Sequence, residues 1–147
     1  MVRSGQDFVL QGPYNIGGRT RSIVVDASNE NVVLAGSVSG GLYRSADAGA
    51  TWAKVTSPSQ YLGVTAIAQD KRAGHTNTWY YSTGEGYGTS ASGDGAFYLG
   101  DGLFKSTDGG LTWGPVTSTA GGQAQTFTTN WQVIWNVATH PNDSADV

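Results

Sequence analysis

The side chains in this chain that could act on a ligand are carboxylates and aromatics that gather in one stretch. Residues 84–100 carry Glu85, Tyr87 and Asp94 in a glycine-rich context, and Asp101 follows directly. A glycoside hydrolase needs two carboxylates roughly 5–10 Å apart, one as acid and one as base or nucleophile. Tyr87, Phe97 and Tyr98 offer ring faces that can stack on a sugar. Glu85, Tyr87, Asp94 and Asp101 are therefore the candidate ligand-binding residues of this stretch. The plainer reading is a surface loop whose carboxylates cap turns. No complete catalytic constellation is present, so no catalytic residue is assigned.

Other chemistries are poorly represented. There is no cysteine, hence no disulfide framework and no thiolate. His75 and His140 are isolated and give no zinc spacing. No cofactor is expected and no metal site is assigned. Calcium is the one ion left open, on Asp94 and Asp101 with backbone carbonyls, although their spacing matches no defined calcium loop. Gly84-Glu-Gly-Tyr-Gly88 has no helix after it to make it a phosphate loop. Eight basic against eleven acidic residues give a net charge of −3, with no basic footprint for nucleic acid or an anionic membrane. No apolar run approaches the ~18 residues of a membrane span, and the first residues do not read as a signal peptide.

The elements that must position these residues are strands. Charged residues are 13% of the 147, about half the usual ~25%. Aromatics reach 11% and there are 22 glycines. Disorder fits badly with so many aromatics, and a helical bundle with so much glycine. A repeat then decides the architecture. Ser45-Ala-Asp-Ala-Gly-Ala-Thr-Trp52 recurs as Ser106-Thr-Asp-Gly-Gly-Leu-Thr-Trp113, both S-x-D-x-G-x-T-W. The match extends upstream (Gly40-Gly-Leu-Tyr-Arg44, Asp101-Gly-Leu-Phe-Lys105) and downstream (Ala53-Lys-Val-Thr56, Gly114-Pro-Val-Thr117). Such a repeat is one supersecondary unit that needs neighbours to bury a core.

Each unit reads as four short strands of β-branched and aromatic residues bounded by turn formers. The expected strands of the first copy, residues 22–56, are 22–26, 32–37, 41–45 and 52–56. Those of the second, residues 64–117, are 64–69, 78–83, 102–106 and 113–117, with the insertion 84–100 between its second and third strands. Residues 132–147 are expected to be the start of a third copy, its first strand and the turn that follows. Four-stranded antiparallel units of this length are β-propeller blades. The fold class is all-β, an incomplete propeller whose remaining blades come from the same polypeptide or other chains. Residues 8–10 are a candidate outer strand that would close the ring.

Within the repeated turn, Ser45, Asp47, Gly49 and Trp52, and Ser106, Asp108, Gly110 and Trp113, are assigned structural roles. The Asp carboxylate can accept backbone N–H bonds from the residues that follow. The Gly takes a conformation closed to other residues. Both Trp rings are expected to be largely buried, so that Trp→Ala would cost about 3–5 kcal/mol.

On these residues the chain resembles the Asp-box proteins, or bacterial neuraminidase repeats, a β-propeller group that includes sialidases, sortilin-type receptors, xyloglucanases and a photosystem assembly factor. Gly12-Pro-Tyr-Asn-Ile-Gly-Gly-Arg-Thr-Arg21, Ala35-Gly-Ser-Val-Ser-Gly-Gly-Leu-Tyr-Arg-Ser45 and Thr83-Gly-Glu85 are similar to the N-terminal propellers of large secreted Bacteroidetes proteins exported by type IX secretion. The resemblance implies a secreted or cell-surface module binding protein or glycan partners. The alternative it implies is part of a carbohydrate-active hydrolase, sialidase-like or another glycosidase. Sialidases of the group use an arginine triad for the substrate carboxylate, and Arg19 lies near one triad position, so the resemblance adds Arg19 to the candidate ligand-binding residues. Their Arg-Ile-Pro context is absent, and the favoured reading is that Arg19 pairs with a buried carbonyl or carboxylate at the junction of the first and last blades. A binding module predicts isolated carboxylates on the insertion. A hydrolase predicts two facing carboxylates, at least one with a raised pKa.

Overall fold

A computed structural model describes residues 18–85, 99–122 and 126–143. The candidate closing strand 8–10, Tyr87, Asp94, Phe97 and Tyr98 lie outside the described residues. The chain forms two four-stranded antiparallel sheets in simple meander order. Blade one comprises β1 (Thr20–Val25), β2 (Val33–Ser37), β3 (Gly41–Ser45) and β4 (Ala53–Lys54). Blade two comprises β5 (Val64–Gln69), β6 (Trp79–Thr83), β7 (Leu103–Ser106) and β8 (Gly114–Pro115). The outer strands β4 and β8 are two residues each, shorter than the five-residue runs read from the sequence. Only Tyr43–Lys54 and Arg44–Ala53, and their counterparts Phe104–Pro115 and Lys105–Gly114, align as ladder partners. Pro115 has no N–H to extend its ladder.

The two blades superimpose in register, residue for residue. Val25 pairs with Val33 where Gln69 pairs with Trp79, and both inner ladders carry an irregularity at the same place, Thr20/Ser22 and Val64/Ala66. Side chains alternate across each sheet. The face of blade two bearing Ile67, Tyr81 and Phe104 packs on the face of blade one bearing Val24, Leu34 and Leu42, with Val64 between them. Tyr81 and Phe104 stack with centroids 4.8 Å apart, and Trp113 meets Tyr81 edge-on at 4.9 Å. Gly36 lets the sheets approach: a Cβ there would sit 2.4 Å from Cγ1 of Val64. Polar bonds tie the blades together as well. Gly41 N–H donates to the Leu62 carbonyl (2.9 Å), Arg44 Nε to the Gly109 carbonyl (2.9 Å) and Gln60 Nε2 to the Trp113 carbonyl (2.8 Å).

In the two repeated turns each serine and aspartate form a small network. Ser45 Oγ donates to Asp47 (2.7 Å) and accepts from Gly49 N–H (2.8 Å), while Asp47 accepts from Thr51 N–H (2.8 Å) and Thr51 Oγ1 (2.6 Å). Ser106, Asp108, Gly110 and Thr112 repeat it at 2.7, 3.0, 3.0 and 2.6 Å. Gly49 and Gly110 have φ of 92° and 81°, values that disfavour any Cβ. Each indole N–H donates back to that glycine's carbonyl, from Trp52 at 2.9 Å and from Trp113 at 3.2 Å.

One expectation fails at Trp52. Trp113 is partly buried, but Trp52 is 42% exposed. The indole of Trp113 rests on Tyr81, and the register places Ala35 at the corresponding position in blade one. An alanine gives the ring no floor. Among the described residues nothing covers that face, where Ile23 is 64% exposed.

The start of the third copy is not a strand. A short 3-10 turn, Asn130–Gln132, leads into residues 133–140 without a ladder. The segment still docks as a blade would. Gly102 N–H donates to the Trp131 carbonyl (3.0 Å), the counterpart of the Gly41–Leu62 bond. Ile134 N–H donates to the Thr83 carbonyl (3.2 Å) and Thr139 Oγ1 to the Gln69 carbonyl (2.8 Å).

Candidate functional site

Antiparallel topology puts the β6–β7 connection and the β7–β8 turn at opposite ends of blade two. The first end therefore collects the start of β1, the ends of β2 and β6, and the start of β7. Arg19, Arg21, Glu85 and Asp101 all sit there.

Glu85 lies two residues beyond the end of β6 and is 2% exposed. Arg19 Nη2 donates to both of its carboxylate oxygens, at 2.9 and 2.8 Å. Arg21 Nη1 donates to Oε1 at 3.1 Å. Arg19 and Arg21 are two apart, so the strand's alternation gives their side chains one face. Both guanidiniums remain partly exposed. A buried carboxylate without partners would be costly, and two donors from the neighbouring blade offset its desolvation. The cluster is a latch between blades carrying one surplus positive charge. Sequence reasoning found Arg19 and Glu85 separately. It missed Arg21, whose signal was its spacing from Arg19.

Asp101 does different work. Its Oδ1 accepts N–H bonds from Gly121 (2.8 Å) and Gly122, and its own N–H donates to Thr83 Oγ1 (2.9 Å). It holds the 121–122 backbone against the start of β7. Its charge, after burial, helps push the Tyr61 phenol up. Glu85 and Asp101 are thus not a facing acid–base pair: one is closed by arginines and the other fastens a turn. Asp47 and Asp108 lie at the far end of the sheets and bond within their own turns. Among the described residues no group of three His, Cys, Asp or Glu could hold a metal ion. His140 Nδ1 accepts the Asn142 N–H at 3.2 Å, and His75 is exposed in the turn between β5 and β6.

Three further aromatics sit beside this end of the blades. Phe127, Trp131 and Trp135 are 62%, 47% and 59% exposed. The sequence reading passed over them, treating 117–130 as an irregular loop and 132 onward as a strand.

Comparison with known proteins bears on what this end could meet. No known family model matches the chain. A xyloglucanase from a Paenibacillus species is 31% identical over 123 residues, covering 69% of this chain and 11% of the relative. The crystal structure of an ancestral GH74 enzyme superposes with a TM-score of 0.53 at 26% identity, covering 71% of this chain and 11% of that one. The fold is that of β-propeller blades. The GH74 enzyme of Niastella koreensis also matches, at 23% identity and a TM-score of 0.46, covering 65% of this chain and 14% of that one. The chain spans about a tenth of the length of the first two relatives.

Proposed function

We propose that this chain supplies blades to a carbohydrate-directed β-propeller, and that its described residues bind and position a glycan without performing the acid–base step. The similarity to a xyloglucanase and to an ancestral GH74 enzyme supports the carbohydrate. The closure of Glu85 by Arg19 and Arg21 carries the second half, because both carboxylate oxygens are already engaged by guanidinium donors and neither is turned toward a ligand. The same closure speaks against a sialic-acid triad, since the guanidinium such a triad would need is already occupied. The repeated turns are read as Asp-box turns, and the setting as outside the cell, where polysaccharide is met, in line with the resemblance to type IX-secreted proteins.

The test pairs binding with turnover. The chain and its full-length polypeptide would be titrated with xyloglucan oligosaccharides, with release of reducing ends followed in parallel. The chain alone is expected to bind and release nothing. Release by the chain that survives Glu85→Gln would move the chemistry onto residues assigned here as scaffold. A full-length polypeptide that neither binds nor cleaves neutral or acidic glycans would remove the carbohydrate assignment.

A further inference from the structure

The geometry points to a docking groove for an apolar C-terminal residue of a partner polypeptide, held by Arg44 at the end of the blades opposite Glu85. The groove has a volume of about 210 Å³ and lies between the two repeated turns. Arg44, Ala46, Ala53 and Val55 of blade one and Leu111 of blade two are among the residues that line it. Both walls are present in this chain. Arg44 faces Ala53 across the β3–β4 ladder, and Val55 packs on the core that the blades share. The groove therefore belongs to the junction between blades one and two, and not to a face that a further blade would cover.

Arg44 is the unusual member. It is partly buried, and its Nε donates to the Gly109 carbonyl at 2.9 Å, which fixes the guanidinium across the junction. Arg19, Arg21 and Arg72 each contact a carboxylate. Among the described residues Arg44 has no such partner, and its two Nη groups donate to none of them. The Thr51 hydroxyl, also in the lining, is already given to Asp47 at 2.6 Å. A partly buried cation beside methyl groups and without a counter-charge is half of an ion pair.

Size and charge select the ligand. The volume falls below the ~300–1,000 Å³ of a drug-sized site, so the groove takes one side chain and not a chain of sugars. The two free Nη groups match a carboxylate, which a guanidinium grips through two parallel N–H bonds. A C-terminal residue carries that carboxylate and an apolar side chain on one Cα, and capture of a C-terminal carboxylate is a recurring mode of peptide recognition. An internal Asp or Glu would need a second residue to cover the apolar wall. Asp47 and Asp108 stand in the flanking turns, bonded to Thr51 and Thr112, and their charge disfavours an acidic run. Leu111 shapes the wall. It is 54% exposed and takes the turn position that Ala50 holds in blade one, so the repeat does not need its bulk.

An NMR titration of the isotopically labelled full chain, read at the Arg44 Nε–H and the Leu111 methyl groups, tests this. The probes are acetyl-Ala-Ala-Leu with a free carboxylate, the same peptide as its C-terminal amide, and acetyl-Ala-Leu-Asp amide with an internal acid. The free acid is expected to saturate both signals, with the amide and the internal acid at least about tenfold weaker. Arg44→Gln should erase the preference for acid over amide. Leu111→Ala should weaken the free acid about fivefold, keep the preference and leave the thermal melt unchanged, because Leu111 is exposed. Arg44→Gln also loses the bond to Gly109, so Leu111→Ala carries the test if that variant does not fold. Equal binding of acid and amide by the wild type would overturn the role of Arg44. An internal acid that binds as tightly as the free one would overturn the choice of a chain terminus. No shift at either signal with any probe, or a free acid indifferent to Leu111→Ala, would remove the groove as a docking site. None of these outcomes bears on the carbohydrate-directed reading, which concerns the other end of the blades.

Discussion

Blade one and blade two share a backbone frame and differ in what fills it. Ladder partners, the inner irregularity and the Ser–Asp–Thr turn network match position for position. The faces do not match. Blade two offers Ile67, Tyr81, Phe104 and Trp113 to a neighbour and buries them wholly or in part. Blade one offers Ile23, Ala35, Tyr43 and Trp52 at the same places, and Ile23 and Trp52 are exposed. The frame therefore comes from turn chemistry and backbone pairing, whereas burial comes from the partner sheet. A repeat motif specifies the first and says little about the second.

The largest expected effect hollows the core packed between the blades. Tyr81 is fully buried between Phe104 and Trp113, and Tyr81→Ala should cost about 4 kcal/mol. Burial also pushes its phenol well above the usual range. Among the described residues its hydroxyl has no hydrogen-bond partner, so Tyr81→Phe should cost less than ~1 kcal/mol or stabilise. Urea unfolding of both variants checks the pair. A Phe variant as damaged as the Ala variant would mean that the hydroxyl, and not the ring, holds the blades.

The comparison sharpens at the two tryptophans. Trp113→Ala removes a ring that rests on Tyr81 and should cost about 3 kcal/mol, while Trp52→Ala should cost about 1 kcal/mol or less. Equal losses in denaturant melts of the two single variants would show that the turn, identical in both blades, is what the indole stabilises.

These tryptophans also mark how far the sequence could be read. The strands, their order and the turn residues were legible because the repeat prints them twice and because Asp, Gly and Thr act on their own turn. The environment of Trp52 was not legible, since it depends on Ala35 one strand away and on a neighbouring sheet. At the candidate site Arg19 and Glu85 were each legible as unusual, but their pairing spans 66 positions and no local pattern encodes it. The third copy reads as a strand from its place in the repeat. A strand, however, needs a ladder, and residues 133–140 find only isolated bonds to blade two.

Next in size is the latch that joins the blades at the other end. Glu85→Gln leaves Arg19 and Arg21 facing a neutral amide. The arginines keep access to water, which moderates the loss to about 2 kcal/mol, below that of a fully buried pair. Arg21→Lys should be milder than Arg19→Lys, because Arg19 reaches both carboxylate oxygens and Arg21 only one. Thermal melts of the three variants at low and moderate salt give the ranking. The opposite order for the two arginines would move the main grip to Arg21.

The smallest effect separates the two turns themselves and is read on the acid side. The Thr51 hydroxyl, then the Thr51 N–H and the Ser45 hydroxyl, hold the Asp47 carboxyl down at about 2. At Asp108 burial is the largest influence and raises the value. The Thr112 hydroxyl and N–H, the Ser106 hydroxyl and the Leu111 N–H together outweigh it and bring this carboxyl also to about 2. Both values lie below the ordinary 3.8. Each group thus binds its proton less readily when folded, and its stabilisation is complete above about pH 4 and disappears as pH falls toward 2. Because both carboxylates are exposed the contribution is small. Asp47→Asn and Asp108→Asn should therefore each lower the melting temperature at pH 6, with the gap to the wild type closing by pH 2. Asp108, which gains the Leu111 N–H at 3.0 Å, should give the slightly larger gap. Melting curves that run parallel to the wild type across this window would show that the aspartates shape their turns without their charge. The turn would then owe its stability to Ser45 and Ser106, whose hydroxyls bond Gly49 and Gly110 at any pH.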